Sequence, residues 1–368
     1  MARHRSSAAP LALAYAGLIV YASLYPFTDW AVPGVSPWAF LGLPWPRWWT
    51  GFDLVSNLLG YLPFGALVFG ALVRTGGAVR SSLLVALLAG SGLSFAMEFT
   101  QNFLPQRVPS NLDLALNVAG TAGGALLGAV VHGLGGVERW QRVRERWFVD
   151  RSAGGLALLV LWPTGLLFPT ALPLGQGQIL PRLREWAIEA MQGTPWAANA
   201  EAALQLDASA PASLARLAQF SAIALGLLAP CLLAFTVSRP GWRRALLVAG
   251  ALALGALATT LSTALNFGPQ HALAWRTPFV VDALLIGCAL ALALSWVPRR
   301  AAAGLGLMAL AALVALVAQA PADAYFALSL QAWEQGRFIR FHGVSQWVGW
   351  LWPYATMAYL LGRIAARE

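Results

Sequence analysis

The chain lacks lysine altogether and has few charged residues of any kind. Charged residues make up 11% of its 368 residues and hydrophobic residues 58%, with a mean hydropathy of +0.64. Soluble domains carry about 25% charged residues, so this composition excludes an ordinary water-soluble domain. Apolar runs of the ~17–25 residues that a transmembrane helix needs recur from end to end. We therefore predict an all-α, polytopic membrane helix bundle.

Cysteine and histidine are also scarce, which bears on disulfides and metal sites. Cys231 and Cys288 both fall inside apolar runs and are interpreted as small core residues rather than a disulfide. The four histidines are scattered without metal-ligand spacing, so no metal site is predicted. Because the chain also has no Gly-rich nucleotide loop, no cofactor is predicted.

Arginine supplies every positive side-chain charge, and its distribution bears on partners and orientation. The formal net charge is +9, but no basic, aromatic-interleaved soluble module is present, which argues against a nucleic-acid partner. With the spans given below and the N-terminus inside, 16 of the 24 basic residues fall on the inner side and 8 on the outer side. Because positive charge concentrates in cytoplasmic loops, we predict cytoplasmic N- and C-termini.

Apolar periodicity and helix breakers divide the chain into about ten spans. Their predicted limits are 10–26, 54–73, 81–103, 112–132, 153–172, 216–237, 243–265, 277–297, 302–320 and 346–364. Three outer connections are predicted to lie at the membrane interface: the Trp- and Pro-rich segment 30–51, an amphipathic helix over 181–193, and a segment around Trp333 and Phe338. An ordinary aromatic belt explains these tryptophans, and a cap that contacts lipid or ligand is the alternative.

Polar residues concentrate at the outer ends of the second, third and fourth spans. Each of these ends carries a carboxylate and an amide three or four residues apart, a spacing that puts both on one helix face. An arginine lies in the loop between the third and fourth spans. The sequence therefore predicts one outward-facing site built from three helices, with these ligand-binding candidates: Asp53, Asn57, Glu98, Gln101, Arg107, Asp113 and Asn117.

Two interpretations of this set remain open. Ionisable groups at membrane depth are costly and normally face a bundle interior or a cavity, and small residues nearby allow the helices to approach closely. In a purely structural network, Arg107 would pair with Asp113 or Glu98, and the amides would satisfy backbone groups. Three carboxylates against one arginine would, however, leave charge unbalanced unless a proton, cation or ligand joins them.

At these residues the chain resembles the VanZ-like family of bacterial membrane proteins, over about residues 10–135. The shared pattern is a Glu and a Gln near the end of one span, a loop Arg, and then an Asp and an Asn before small residues. It departs at Gln106, where the family often has Gly, and this leaves the aim of Arg107 open. The resemblance implies an association with the cell envelope, since the founding member is linked to low-level teicoplanin resistance. It implies no agreed reaction.

A weaker second copy of the motif follows. Asn102 to Asp113 is echoed in Asn266 to Asp282, with Asn-Phe-x-Pro-Gln and Arg-x-Pro-x-x-x-Asp in both. The second-copy candidates are Arg276 and Asp282. We hypothesise two four-span units in parallel orientation, 1–135 and 136–300, followed by two further spans in 301–368.

Four functions fit these features. The favoured one is binding or handling of an amphiphilic envelope molecule, namely a membrane lipid or a polyprenyl-linked precursor, with Arg107 and Arg276 on phosphate. An enzyme with Glu98 or Asp113 as acid–base is less favoured, because no nucleophile–base pair accompanies them. A proton-coupled transporter or flippase and a partner-binding membrane subunit are the other two. The sequence alone leaves the substrate and the oligomeric state open.

Overall fold

The computed structural model describes residues 8–25, 27–46, 49, 51–149, 152–199, 202, 216–319 and 339–365. These residues form α-helices and three short 3₁₀ helices, and no named β-strand occurs among them. The α-helices are α1 Ala8–Leu24, α2 Gly51–Arg74, α3 Val79–Gln101, α4 Asn111–Gly133, α5 Gly136–Trp147, α6 Ala153–Gly165, α7 Ile179–Met191, α8 Arg216–Val237, α9 Trp242–Phe267, α10 Pro278–Ala293, α11 Arg299–Ala318 and α12 Ile339–Ala365.

Seven helices in the described part of the chain are long and apolar enough to cross a membrane. They are α2, α3, α4, α8, α9, α10 together with the 3₁₀ turn that follows it, and α11. The helices α1 and α6 are apolar but shorter. The protein is therefore an all-helical membrane protein, and the count of ten spans stays a prediction. The predicted interfacial segment around Trp333 and Phe338 lies outside the described residues.

The fifth predicted span, 153–172, is helical only as far as Gly165. Helix α6 ends at Gly165, and an irregular segment follows. Pro163 removes one intrahelical hydrogen bond, and Gly165 and Pro169 both favour termination. Thirteen residues at 1.5 Å each give a helix of about 20 Å, which is short of the ~30 Å of a bilayer core.

The chain divides into two compact units, residues 1–142 and 143–368. In unit 1 the parallel helices α2 and α4 form the most extensive contact. Their backbones touch through glycines: a Cβ added at Gly120 would lie 2.1 Å from the Leu58 carbonyl oxygen, and one at Gly124 would lie 1.8 Å from that of Leu62. Close approach through small residues every fourth position is a common packing mode in membranes.

Unit 2 is organised around α8, which is buried throughout from Gly226 to Val237. Helices α11 and α10 form its largest contacts, and α6 and α9 also pack on it. Helix α12 packs against α6 and α11. This gives unit 2 an apolar core that includes Trp162, Phe235 and Leu310.

One arginine in unit 2 is completely buried. Arg244 of α9 has no exposed surface. Its Nη1 donates to the carbonyls of Ser295 (2.9 Å) and Val297 (2.7 Å), and its Nη2 donates to that of Phe235 (2.9 Å). Carbonyls left over at helix ends need donors, so Arg244 joins the end of α8 to the turn between α10 and α11.

Two amphipathic helices lie between the apolar ones. The predicted helix over 181–193 is confirmed as α7. Helix α5 was not predicted. Its first residues follow α4 after a two-residue turn, and six of its twelve residues are Arg or Glu, which hides it from a search for apolar spans.

Candidate functional site

One end of unit 1 gathers the ends of α1 and α3 and the beginnings of α2 and α4. Glu98, one turn before the end of α3, is 4% exposed. Its Oε2 accepts a hydrogen bond from the backbone N–H of Ser110 (2.8 Å), the residue that caps α4. A carboxylate at a helix N-terminus is stabilised by the free N–H groups and by the helix dipole. Glu98 therefore fixes the start of α4 to the end of α3.

Two further predicted site residues bind the end of α1. Gln101 Nε2 donates to the carbonyl of Ser23 (3.1 Å), and Arg107 Nη2 donates to that of Tyr25 (2.7 Å). Carbonyls at a helix C-terminus have no partner within their own helix. Gln101 thus satisfies a backbone group, as expected for the amides of a purely structural network. Arg107 also binds a backbone carbonyl, and it carries a positive charge as well.

The same loop holds the Trp- and Pro-rich segment. Asn102 Nδ2 donates to the carbonyl of Pro37 (3.2 Å), Asn111 Nδ2 donates to that of Leu43, and the Ala31 N–H donates to that of Phe103 (2.9 Å). We call this arrangement, residues 25 and 27–46 held by residues 98–111, the polar cap. It fixes the irregular segment over the ends of α3 and α4.

Aromatic rings join the polar cap to the flank of α3. Trp38 stacks on Phe95 with centroids 5.6 Å apart and contacts Phe99 at 5.2 Å, and Phe99 contacts Phe103 at 5.9 Å. Phe95 and Phe99 lie one turn apart on one face of α3, and Phe103 follows just beyond its end. Trp30, Trp38 and Trp45 remain at least half exposed. The cap thus presents an aromatic surface next to its polar one.

The two aspartates lie in the first turns of neighbouring helices. Asp113 occupies the third position of α4, where its backbone N–H donates to the Ser110 hydroxyl (3.3 Å), and Asp53 lies in the first turn of α2 and is exposed. The contact of Gly120 with Leu58 puts Asp53 and Asp113 within two residues of the same level, about 3 Å of helix rise. The packing of α2 on α4 therefore brings the Asp53/Asn57 and Asp113/Asn117 pairs to nearly the same depth along the bundle, as the sequence analysis predicted.

A second polar layer lies one helical turn deeper. Asn117 is 4% exposed, and its Nδ2 donates to the Ser94 hydroxyl (2.9 Å). Tyr61 is 5% exposed, and its hydroxyl lies within electrostatic reach of Ser94 and Glu98. Among the described residues, Asn117 Oδ1 and the Tyr61 hydroxyl have no partner at hydrogen-bonding geometry. Such buried groups are normally satisfied, often by ordered water.

Below this layer the bundle closes. Thr121 is buried, and its hydroxyl donates to the carbonyl of Asn117 (2.9 Å). A Cβ at Gly65 would lie 2.1 Å from the Thr121 carbonyl oxygen, and one at Gly90 would lie 2.3 Å from its hydroxyl oxygen. On the side away from the polar cap, the two polar layers therefore end at this close packing.

The polar cap has a depression beside Arg107. It is lined by Tyr25, Thr28 and residues 104–107 and encloses about 190 Å³, including space open to solvent. Because most of that volume is open solvent, the depression is shallow: the cavity itself measures only about 10 Å³, about the room of one water molecule. Gln106, which stands where the resembled family often has Gly, forms part of its wall and lies 3.5 Å from Asp29 Oδ2.

The second-copy candidates are arranged differently. Arg276 and Asp282 are both exposed, and no ion pair joins them in the described part of unit 2. Asn266 does repeat one contact of the first copy, because its Nδ2 donates to the Ser262 carbonyl (2.7 Å) as Asn102 Nδ2 does to that of Glu98 (3.0 Å). The shared feature of the two copies is thus the Asn, not the Arg and Asp.

Several contributors were missed by the sequence analysis although signals for them existed. Ser94 precedes Glu98 by four residues, and Tyr61 follows Asn57 by four, so each lies on a face already identified. Ser110 precedes Asp113 by three, which is the spacing of a capping box. The bonds of Asn102 and Asn111 to the cap had no such signal, because they depend on the path of an irregular segment.

Comparison with known proteins bears on unit 1. Residues 7–132 match the family model VanZ/LLP1. This stretch runs from α1 to α4 and contains the polar cap. No curated protein and no solved structure matches the chain.

Proposed function

Through residues 7–132 the chain belongs to the VanZ-like family of membrane proteins, and we propose that its polar cap binds the headgroup of an amphiphilic envelope molecule. The ligand class is a membrane lipid or a polyprenyl-linked precursor. The observation that carries this proposal is the shallow depression at the capped end of unit 1, with Arg107 in its wall.

Arg107 supports a phosphate-bearing ligand. A guanidinium offers five N–H donors in a planar fork that matches phosphate geometry. Its bond to the Tyr25 carbonyl orients the side chain. A site whose charged group is held by backbone contacts is preorganised and loses less entropy on binding.

The aromatic surface supports an apolar tail on the same ligand. The Trp38, Phe95 and Phe99 rings follow α3 away from the cap, and aromatic side chains are favoured at the boundary between headgroups and tails. A headgroup at Arg107 would leave its tail free to follow these rings into the bilayer. The family link to envelope function, including resistance to glycopeptides such as teicoplanin, fits a protein that acts on such a molecule. The proposed setting is the bacterial cytoplasmic membrane with both termini inside and the polar cap outside.

Site-specific photo-crosslinking tests the proposal. A benzophenone amino acid at Gln106, which lines the depression, should capture lipid-linked envelope molecules in living cells, identified by mass spectrometry. Val108 is the matched control position, because it is two residues away and 86% exposed but does not line the depression. Capture at Gln106 should fall at least tenfold in Arg107→Gln. Equal capture at both positions, or capture independent of Arg107, would count against headgroup binding.

A second candidate function, transport, is favoured by one observation in unit 2. The irregular segment after α6 is buried from Leu174 to Gly177, and Leu174 has a left-handed φ of 63°. Gln176 is 1% exposed; its Nε2 donates to the Trp162 carbonyl (2.8 Å), and its Oε1 has no partner among the described residues. Non-helical backbone at membrane depth is typical of transporter sites formed by broken helices.

Proteoliposome assays separate transport from binding. If unit 2 transports, uptake or lipid scrambling driven by a proton gradient should occur in reconstituted protein and fall in Gln176→Leu. A protein that captures lipid at Gln106 but shows no gradient-dependent flux is a binding protein.

The two-copy arrangement remains a proposal, with units 1–135 and 136–300 followed by 301–368. It is supported by the helix pairs in contact, since α6, α8, α9 and α10 pair with one another as α1, α2, α3 and α4 do. The Asn102 and Asn266 contacts add to it. Superposing the two sets of four helices in an experimental structure tests it, and unrelated helix paths would end it.

A further inference from the structure

Helix α5 lies outside the family match and carries an unusually regular charge pattern. Over Glu138–Trp147 its sequence is ERWQRVRERW, which holds four arginines and two glutamates, a net charge of +2. Except for Arg144, the residues recur in the order polar, arginine, apolar. Because positions three or four apart on a helix share a face, this order builds three parallel rows.

Two of the three residues of the apolar row are exposed, and the third is half-buried. It consists of Trp140, Val143 and Trp147, and Trp140 is 55% and Val143 46% exposed. An amphipathic helix in a soluble protein buries such a row in a core. Here neither Trp140 nor Val143 belongs to any hydrophobic cluster of the described residues.

The charged rows are segregated around the apolar one. Arg139, Arg142 and Arg146 each precede an apolar residue and so flank the apolar row on one side. Arg144 falls on its other side by the same geometry. Glu138, Gln141 and Glu145 form the row farthest from the apolar one. This is the distribution of a helix whose apolar face enters a bilayer while arginines reach its phosphates and acidic groups face water.

Both ends of α5 are joined to ends of membrane-spanning helices. It begins at Gly136, three residues after α4 ends. At its other end the Trp147 carbonyl accepts from the Arg239 N–H (2.9 Å), at the turn between α8 and α9, and the Trp147 ring packs edge-on against Trp242 at 5.6 Å. These contacts fix the C-terminal end of α5 beside the turn between α8 and α9.

We propose that α5 is a docking site for anionic phospholipid headgroups, with Trp140 and Val143 in the bilayer interface and Arg139, Arg142 and Arg146 on lipid phosphates. A neutral membrane surface would offer contacts to the apolar row alone. Because the arginines lie nearer the apolar row than the acidic residues do, the helix should prefer a negatively charged membrane surface. This site is independent of the polar cap, so either can fail without the other.

Spin labels on the full chain test the docking. In a Cys231→Ala/Cys288→Ala background, a nitroxide at Val143→Cys is compared with one at Gln141→Cys on the opposite row. The protein is reconstituted in phosphatidylcholine or in an equimolar mixture with phosphatidylglycerol. In the mixture the label at 143 should be shielded from a water-soluble nickel chelate and the label at 141 should not. In phosphatidylcholine alone the shielding at 143 should weaken.

Charge variants test the role of the arginines. An arginine near an anionic surface strengthens binding about fivefold, so replacing Arg139, Arg142 and Arg146 by Gln should reduce the preference for phosphatidylglycerol about 100-fold. Replacing Glu138 and Glu145 by Gln is the matched control and should preserve it. High salt should weaken the preference of the unaltered protein for phosphatidylglycerol, because the Debye length falls to about 3 Å at 1 M salt. The salt measurement uses no substitution, so it does not depend on whether the variants fold.

Three results would overturn the proposal. The first is equal accessibility of the labels at 141 and 143 to the nickel chelate in the mixture. The second is a lipid preference that survives both high salt and loss of the three arginines. The third is dipolar broadening between labels at 143 on different molecules, which would show that a second copy covers the face.

Discussion

Alanine in place of Gly124 should force α4 away from α2 and so disrupt the frame of the polar cap. The added Cβ would lie 1.8 Å from the Leu62 carbonyl oxygen, and ordinary contact begins at 3.4 Å, so the backbones must separate by about 1.6 Å. A gap of 0.5–1 Å already forfeits about a quarter to a half of the dispersion energy between facing atoms. Overpacking of this kind costs about 3 kcal/mol, of which the better helix propensity of alanine offsets about 1 kcal/mol.

Gly123→Ala is the matched control for this change. Gly123 neighbours Gly124 on the same helix, is exposed, and has nothing within 4 Å of an added Cβ. It should be neutral or stabilising by up to about 1 kcal/mol. Unfolding in mixed micelles, followed by circular dichroism, measures both variants, and their free energies of unfolding should differ by about 2–3 kcal/mol. Equal stabilities would refute the close α2–α4 packing and the level it gives Asp53 and Asp113.

Three further predictions use the same unfolding assay. Arg244→Met should lower the free energy of unfolding by about 3–5 kcal/mol, because it leaves three buried carbonyls without donors. The control Arg243→Met should lower it by less than about 1 kcal/mol. Equal losses in the two variants would contradict the role given to Arg244. Glu98→Gln should cost about 1–2 kcal/mol through the weaker interaction with the start of α4, and no loss would count against that contact. Ser110→Ala should cost about 1 kcal/mol as a lost N-cap, and a neutral result would argue against the cap.

The sequence was most informative where a single physical rule decides the outcome. Apolar length placed helices at all ten predicted spans, and the four-residue spacing of Asp113 and Asn117 put them on one buried or half-buried face. Charge hid α5, because a search for apolar runs passes over a helix that is half Arg and Glu. The end of α6 was missed because Pro163 acts through local geometry that hydropathy does not register.

Within the polar cap, residue types were easier to predict than partners. Glu98, Gln101 and Arg107 were singled out as candidates, and each has a backbone partner that no spacing rule gives: the start of α4 for Glu98, and the end of α1 for the other two. Those partners depend on how residues 27–46 and 102–110 fold over the helix ends. Irregular segments are fixed by many weak contacts at once, so their path is not encoded in periodicity.

The most direct test of headgroup binding at the polar cap is an experimental density map of the protein purified with its native lipids. The expected result is density of headgroup size between Tyr25, Thr28 and Arg107, continued by a tail along Phe99, and lost in Arg107→Gln. An empty depression in a map that shows ordered lipid elsewhere around the bundle would contradict it.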